Sequence, residues 1–286
     1  MCGIFGFVTK KDSSLNYRLA KKIADELFLL SETRGKESAG MAIKNLTNST
    51  ISVIKKDIPA SQLIKSKEYK DFFETATKGC LNGVKASGGI ALIAHSRLVT
   101  NGSELNNNNN QPVIKSGGVI IHNGICTNVD KLWQEETSLK KETEVDTEYI
   151  VSYIRKRIQA GESTEVALRN TFKKLEGTAS IALLQNDNNE ITLFTNNGSL
   201  YYAFDNNNTI CIFASEKYIL QTLINKLSLG DTLGITSTNW MSPNTGINLS
   251  IKNFHTKQID LSTSSLTLKD SSKLMNGEKV KDRIVN

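Results

Sequence analysis

Hydrophobic positions recur with two different periods along the chain, and these periods predict strands and helices. Residues 3–8 form an almost continuous apolar run, which is typical of a buried strand. Over residues 15–30, leucine and isoleucine recur at steps of three and four with charged residues between them, which predicts an amphipathic helix. The same helical period predicts further helices over residues 60–78, from Asp146 onward, over 163–175 and over 215–225.

Several apolar segments that read as strands end in polar residues. Segment 88–97 ends in His95, Ser96 and Arg97, and segment 117–125 carries His122, Asn123 and Gly124 near its end. Binding and catalytic side chains often lie where a rigid element meets a loop, so these ends are candidate functional positions. Beyond residue 178, short apolar segments alternate with turns rich in asparagine and glycine, which favours antiparallel pairing.

The chain shows no internal repeat and no domain boundary before about residue 240. We therefore expect one domain over residues 2–240, followed by an extension over 241–286 that is rich in serine, threonine and lysine and weakly packed. Residues 101–112 form an asparagine-rich loop. This loop is either polar filler or a mobile lid over a site.

Composition excludes several classes of protein. Four cysteines are scattered without a C-x-x-C pair, so neither a disulfide framework nor a zinc cluster is expected, and we predict no metal and no cofactor. No apolar run is long enough for a membrane span, and no signal sequence is evident, which predicts a soluble, cytoplasmic protein without a membrane partner. The net charge of +6 is interleaved with acidic residues and indicates no nucleic-acid partner.

Cys2 follows the initiator methionine directly. Removal of Met1 gives this residue a thiol nucleophile and a free α-amino group, whose pKa of about 7.7–8.0 suits a base at neutral pH. The alternative is an ordinary small apolar residue near a chain end. The catalytic hypothesis for Cys2 is favoured only if other segments of the chain carry matching chemistry.

Six motifs carry matching chemistry and occur in a characteristic order. They are Cys2-Gly3-Ile4-Phe5-Gly6 and the segments 34–40, 95–102, 122–125, 146–148 and 214–216. Together they resemble the glutamine-hydrolysing domain of the class II amidotransferases, an N-terminal-nucleophile family that includes the glutaminase domains of glucosamine-6-phosphate synthase and amidophosphoribosyltransferase. The resemblance covers about residues 2–235.

The resemblance implies an α+β fold, a four-layer αββα sandwich of two antiparallel sheets. It implies that Cys2 attacks the side-chain amide of L-glutamine, and that the Asn123 side chain and the Gly124 backbone N–H form the oxyanion hole. Ammonia then leaves, and water hydrolyses the thioester. Hydrolysis of glutamine by this route needs no cofactor.

The resemblance also implies how substrate is held. Arg97 is expected to clamp the α-carboxylate, with a hydroxyl from Thr100, and Asp146 to pair with the α-ammonium. Arg34 is grouped with these substrate-binding residues and is expected to support the nucleophile region. Considered singly, Arg97 suits a structural ion pair and Asp146 a helix cap.

Two features depart from the family pattern, and two functions remain open. Leu98 and Asn101 replace an aromatic residue and a histidine, and the lid is rich in asparagine. The residues after about 240 are too few for a synthase domain, so the first hypothesis is a glutaminase subunit that passes ammonia to a separate synthase, possibly in amino-sugar synthesis. The alternative is a non-catalytic, glutamine-binding regulatory subunit of the same fold.

Overall fold

Two antiparallel sheets lie face to face at the centre of the chain. The computed structural model describes residues 2–81, 83–98 and 106–262. Within these residues the first sheet has seven strands in the order β11-β9-β10-β1-β4-β2-β3, and the second has six in the order β13-β12-β8-β7-β6-β5. The strands are β1 Gly3–Thr9, β2 Ser38–Asn45, β3 Thr50–Lys56, β4 Ile90–Arg97, β5 Val113–Lys115, β6 Gly118–Cys126, β7 Gly177–Gln185, β8 Glu190–Thr195, β9 Tyr201–Phe204, β10 Ile210–Ala214, β11 Asn239–Trp240, β12 Thr245–Ser250 and β13 Thr256–Asp260.

Helices cover the outer faces of both sheets. They are α1 Tyr17–Ser31, α2 Ala60–Leu63, α3 Lys67–Thr77, α4 Val129–Glu135, α5 Asp146–Gln159, α6 Thr164–Phe172, α7 Lys217–Lys226 and α8 Leu229–Leu233. Short 3-10 turns occupy Glu32–Arg34 and Asn107–Asn109. The helix expected over 60–78 is interrupted, because the Ser66 hydroxyl accepts a hydrogen bond from the Tyr69 N–H and starts α3 anew.

Strand β1 lies inside the first sheet and is buried on both faces. Phe5 and Phe7 point to the helices, where Phe5 packs edge to face on Phe28 of α1 at 5.0 Å between ring centroids. Ile4 and Val8 point to the second sheet. This alternation explains the continuous apolar run, since each face of the strand meets a different core.

Three cores separate the layers. One lies between the first sheet and α1, α3 and α7, one between the two sheets, and one between the second sheet and α5 and α6. Examples from the three cores are Leu27, Ile93 and Ile154, each with no exposed surface. The predicted four-layer αββα sandwich of two antiparallel sheets is therefore confirmed.

The segment after residue 240 differs from the sequence prediction. Strand β12 pairs with β8 and β13 pairs with β12, so residues 245–260 belong to the second sheet. Met241, Leu249 and Ile259 are buried in the cores. The weak packing expected for the 241–286 extension is thus wrong for residues 245–260, because Ile247 and Leu249 of β12 and Ile259 of β13 pack into the cores. Residues 263–286 lie outside the described residues.

Within the described part of the chain, no helix combines the length and the apolar character required to cross a lipid bilayer.

Candidate active site

Antiparallel pairing brings the polar strand ends together. Gly3 at the start of β1 pairs with Ser96 near the end of β4, and Ser38 of β2 pairs with Arg97. Strands β1 and β4 pack across the sandwich on β6, whose last residues include Asn123 and Gly124. The candidate residues from four segments of the sequence therefore share one edge of the two sheets.

Cys2 lies at the start of β1 and is 8% exposed. Its thiol donates a hydrogen bond to the Leu98 carbonyl oxygen, with 3.4 Å between sulfur and oxygen. Burial raises the pKa of the thiol, and the nearby positive charge of Arg97 opposes this only in part. The thiol is therefore protonated at neutral pH, and nucleophilic attack by its sulfur requires a base.

Arg97 lies at the end of β4 and is 4% exposed. Its Nη1 donates to the side-chain oxygen of Asn110 at 2.6 Å. The backbone oxygen of Asn110 in turn accepts from the Lys55 ammonium at 2.9 Å, and burial lowers the pKa of Lys55 to about 8. Asn110 thus fixes the direction of the guanidinium, a contact that the sequence alone did not indicate.

Asp146 is the first residue of α5, whereas Val145 occupies the cap position that the sequence suggested for Asp146. Its Oδ2 accepts the Cys126 N–H at 2.8 Å, and its Oδ1 lies 3.6 Å from His122 Nδ1. Burial alone raises the pKa of Asp146, but His122 and the Cys126 N–H outweigh it and leave this pKa below its usual value. Asp146 is a buried carboxylate at neutral pH.

Asn123 and Gly124 are the residues predicted to form an oxyanion hole. Asn123 is 1% exposed, and its Oδ1 is buried without a hydrogen-bond partner among the described residues. Gly124 has φ of 155°, and a Cβ there would lie 1.9 Å from the Thr178 carbonyl oxygen. The local backbone therefore requires glycine next to a buried amide whose oxygen has no partner among the described residues.

Arg34 and the motif at 214–216 hold the start of β1. The Arg34 guanidinium forms an ion pair with Glu216. Ser215 accepts the Ile4 N–H on its hydroxyl at 3.3 Å and donates its own N–H to the Ile4 carbonyl at 2.8 Å. These contacts place Arg34 beside the nucleophile strand. Its predicted role in binding substrate stays a prediction.

The asparagine-rich segment is structured where it is described. Asn109 donates to the Glu144 carboxylate at 2.7 Å and accepts the Glu144 N–H at 3.1 Å. The Gln111 side chain bonds to both backbone groups of His122, at 2.6 and 3.0 Å. This part of the loop is a brace between the site and α5. Thr100 and Asn101, with the rest of the predicted lid over 99–105, lie outside the described residues.

Because Gly35 has no side chain, its backbone can approach the backbone of Arg97 and Leu98 closely. The position of Arg97 depends on this approach. Its backbone is extended, but a Cβ would lie 2.1 Å from the Arg97 carbonyl carbon and 2.2 Å from the Leu98 nitrogen. We expect Gly35→Ala to lower the free energy of unfolding by about 1–3 kcal/mol, as overpacking does. Urea denaturation measures this.

The matched control is Gly83→Ala, since a Cβ at Gly83 meets no atom closer than 3.5 Å. Equal stability of Gly35→Ala and Gly83→Ala would contradict the close packing described.

The geometry agrees with comparisons to known proteins. Residues 95–222 match the sequence model of the family described as the glutamine amidotransferase domain. Over 204 residues the chain is 32% identical to a glutamine–fructose-6-phosphate aminotransferase (isomerizing) of Bacillus subtilis, covering 70% of this chain and 29% of that protein. The corresponding enzyme of Sulfolobus acidocaldarius is 29% identical, over 63% of this chain and 28% of that protein. The chain thus spans under a third of the length of these curated relatives.

Two solved structures share the fold. The glutamine phosphoribosylpyrophosphate amidotransferase of B. subtilis aligns with a TM-score of 0.63 at 18% identity, over 92% of this chain and 50% of that chain. A structure described as the allosteric regulatory enzyme of purine biosynthesis aligns with a TM-score of 0.66, at the same identity and coverage. From the family match, the similarity to the aminotransferases and the shared architecture, we conclude that this chain contains a domain of the class II glutamine amidotransferase family with the N-terminal nucleophile hydrolase fold.

Proposed function

We propose that this domain hydrolyses L-glutamine to L-glutamate and ammonia through a thioester on Cys2. One observation carries the proposal. The buried Cys2 thiol donates to the carbonyl oxygen of Leu98, the residue that follows Arg97, and the charges of Arg97 and Asp146 shift its pKa in opposite directions. A free amino acid carries a carboxylate and an ammonium, so a cation and an anion beside the nucleophile match its two charged groups.

Substrate recognition uses these two charges. Arg97 binds the α-carboxylate of glutamine with its planar guanidinium, with Thr100 adding a hydroxyl, and Asp146 binds the α-ammonium. Both protein groups are already desolvated, because Arg97 and Asp146 are 4% and 7% exposed. An amide without the two charged groups cannot form either of these ion pairs and is therefore bound more weakly.

The chemical step begins with removal of Met1, which frees the α-amino group of Cys2. This amine takes the thiol proton, and the sulfur attacks the side-chain amide carbon of glutamine. The Asn123 side chain and the Gly124 N–H donate to the oxygen that becomes negative. The amine then returns the proton to the leaving nitrogen, ammonia departs, and water hydrolyses the thioester.

The names of the relatives support a proposal for the fate of the ammonia. The B. subtilis and S. acidocaldarius proteins are named as aminotransferases of fructose 6-phosphate. The proposed role is the same glutamine-dependent supply of nitrogen, with the ammonia used by a separate synthase in amino-sugar synthesis. A cytoplasmic location stays a prediction.

The test is mass spectrometry after incubation with a glutamine analogue that carries an electrophilic diazoketone in place of the amide. We expect a protein without Met1 that carries a single adduct on Cys2, and we expect glutamine to slow the labelling. Purified protein that retains Met1 yet releases ammonia from glutamine would contradict the proposed base. Protein that binds glutamine without labelling or turnover would favour the regulatory alternative.

Asn110 provides a second test, because it orients the proposed carboxylate clamp. Asn110→Ala removes the 2.6 Å hydrogen bond to Arg97. Hydrogen bonds to charged groups are worth about 1.5–3 kcal/mol, so we expect KM for glutamine to rise by about tenfold with a much smaller change in kcat. Steady-state kinetics of ammonia release measure both constants.

Asn108→Ala is the matched control, since Asn108 lies in the same segment but is exposed. An unchanged KM in Asn110→Ala, or an equal rise in both variants, would show that this contact does not position Arg97.

A further inference from the structure

Three side chains with metal-binding atoms meet beside the proposed glutamine site. They are His122 and Cys126 on β6 and Asp146 at the start of α5. One ligand atom from each residue lies within 4.8 Å of the other two. All three residues are buried, with 2%, 3% and 7% of their surface exposed. The sequence gives no metal-binding spacing here, because helix α5 supplies the third atom from a distant part of the chain.

The His122 ring is oriented as a metal ligand. Its Nε2 lies 3.4 Å from the Thr178 carbonyl oxygen, which can only accept. Its Nδ1 lies 3.1 Å from Thr147 Oγ1 and 3.6 Å from Asp146 Oδ1, so with the hydrogen on Nε2 the Nδ1 lone pair accepts from the Thr147 hydroxyl, a hydrogen bond that an incoming ion replaces. A backbone carbonyl on the second ring nitrogen is the usual companion of a metal-bound histidine, where it fixes the tautomer and the ring direction.

The donor set selects the metal. A thiolate, an imidazole and a carboxylate together suit Zn²⁺, which binds such ligands at about 2.0–2.3 Å in tetrahedral geometry. These bond lengths place neighbouring ligand atoms about 3.5 Å apart, so the longest separation here has to shorten by about 1 Å. Three protein ligands leave the fourth position for water.

Charge balance favours the same ion. The Cys126 thiolate and the Asp146 carboxylate together neutralise Zn²⁺, so the buried complex has no net charge. Burial raises the pKa of Cys126 to about 12, with Asp146 adding to the effect. The thiol is therefore protonated before the ion arrives. Formation of the Zn–S bond breaks the S–H bond and releases one proton to solvent, with no electron transfer.

We propose that His122, Cys126 and Asp146 bind one Zn²⁺ ion and that the bound ion blocks glutamine binding. The blocking step rests on the proposed function, since it assumes that Asp146 binds the substrate ammonium. A carboxylate that coordinates the ion cannot also pair with the α-ammonium. Zinc is then a competitive inhibitor with respect to glutamine.

Direct binding is tested with Co²⁺, which takes zinc sites and whose bond to a thiolate absorbs in the near ultraviolet. The full chain carries Cys2→Ser, so that the nucleophile cannot contribute the thiolate. We expect one Co²⁺ per chain with a cobalt–thiolate band that Zn²⁺ displaces. Addition of Cys126→Ser removes the band and weakens binding at least about tenfold. Absence of the band in the Cys2→Ser protein overturns the site.

Cys80→Ser is the matched control in the same background, because Cys80 is also a fully buried thiol but lies in a different core. It is expected to keep the band. If Cys126→Ser does not fold, as circular dichroism would show, Cys80→Ser and Cys211→Ser assign the band by elimination. A band that disappears with Cys80→Ser or Cys211→Ser contradicts the site.

Inhibition is measured separately on the chain with Cys2 intact. The rate of ammonia release with Zn²⁺ is divided by the rate of the same protein without Zn²⁺. We expect Cys126→Ser to need at least about tenfold more zinc than the wild type for the same fractional loss of activity. Higher glutamine is expected to relieve inhibition in the wild type. Equal sensitivity of wild type and Cys126→Ser overturns the proposal. Cobalt binding without any glutaminase activity would support the metal site and contradict the proposed function instead.

Discussion

Cys2→Ala is expected to reduce glutamine hydrolysis by at least about 10⁴-fold, to the level of the uncatalysed reaction. The substitution removes the sulfur that forms the thioester and leaves the α-amine without a proton to take. The residues proposed to bind glutamine remain, so substrate affinity is expected to change little. Ammonia release and isothermal titration with glutamine measure the two effects.

The control for Cys2→Ala is Cys80→Ala, which removes another buried thiol from the same protein. This variant is expected to lose stability, because Cys80 fills a core position, but to retain turnover. If Cys2→Ala still releases ammonia at a substantial rate, and no other substitution in the site abolishes that release, then Cys2 has no part in the mechanism.

Asn123→Ala is expected to lower kcat by about 10²–10³-fold with a small change in KM, because one oxyanion donor is lost. Its effect on stability separates this role from a structural one. Asn123 Oδ1 is buried without a partner among the described residues. Loss of this oxygen costs no hydrogen bond, so the free energy of unfolding should fall less than in a variant that loses a hydrogen-bonded buried amide.

Asn45→Ala is the contrasting variant. The Asn45 side chain donates to the carbonyl oxygens of Ala76 and Lys78 at 3.0 and 2.9 Å. Its loss is expected to destabilise the protein while leaving kcat nearly unchanged. If Asn123→Ala is the strongly destabilised variant and retains its kcat, Asn123 is a structural residue and not an oxyanion donor.

Local pattern accounts for most of the regular elements. Burial of residues that are close together in sequence produces the continuous apolar run of β1 and the helical periods of α1 and α5. Such patterns are visible in a single sequence. Helix α4 shows no such pattern, because its core contact is limited to a few residues such as Leu132. The packing of β12 on β8 was not predictable, since several elements separate these two strands in sequence.

The candidate site likewise has a part that the sequence predicted and a part that it did not. Motif order identified Cys2, Arg97, Asn123 and Gly124, and the structure places them at one edge. The groups that orient them were not predictable, because contacts such as that of Arg34 with Glu216 join residues separated by 182 positions. Nothing in either local sequence specifies such a pair. Only the topology of the sheets brings the two side chains together.

The asparagine-rich segment that forms the brace links its own conformational order to the proposed affinity for glutamine. Gln111 bonds to Thr147 of α5 and Asn110 bonds to Arg97, so one short segment holds both α5 and the guanidinium. Any opening of this segment misdirects Arg97 before glutamine arrives. The apparent dissociation constant then equals the intrinsic constant divided by the fraction of molecules that are closed. A change that reduces this fraction tenfold therefore weakens glutamine binding by about tenfold, with every substrate contact chemically intact.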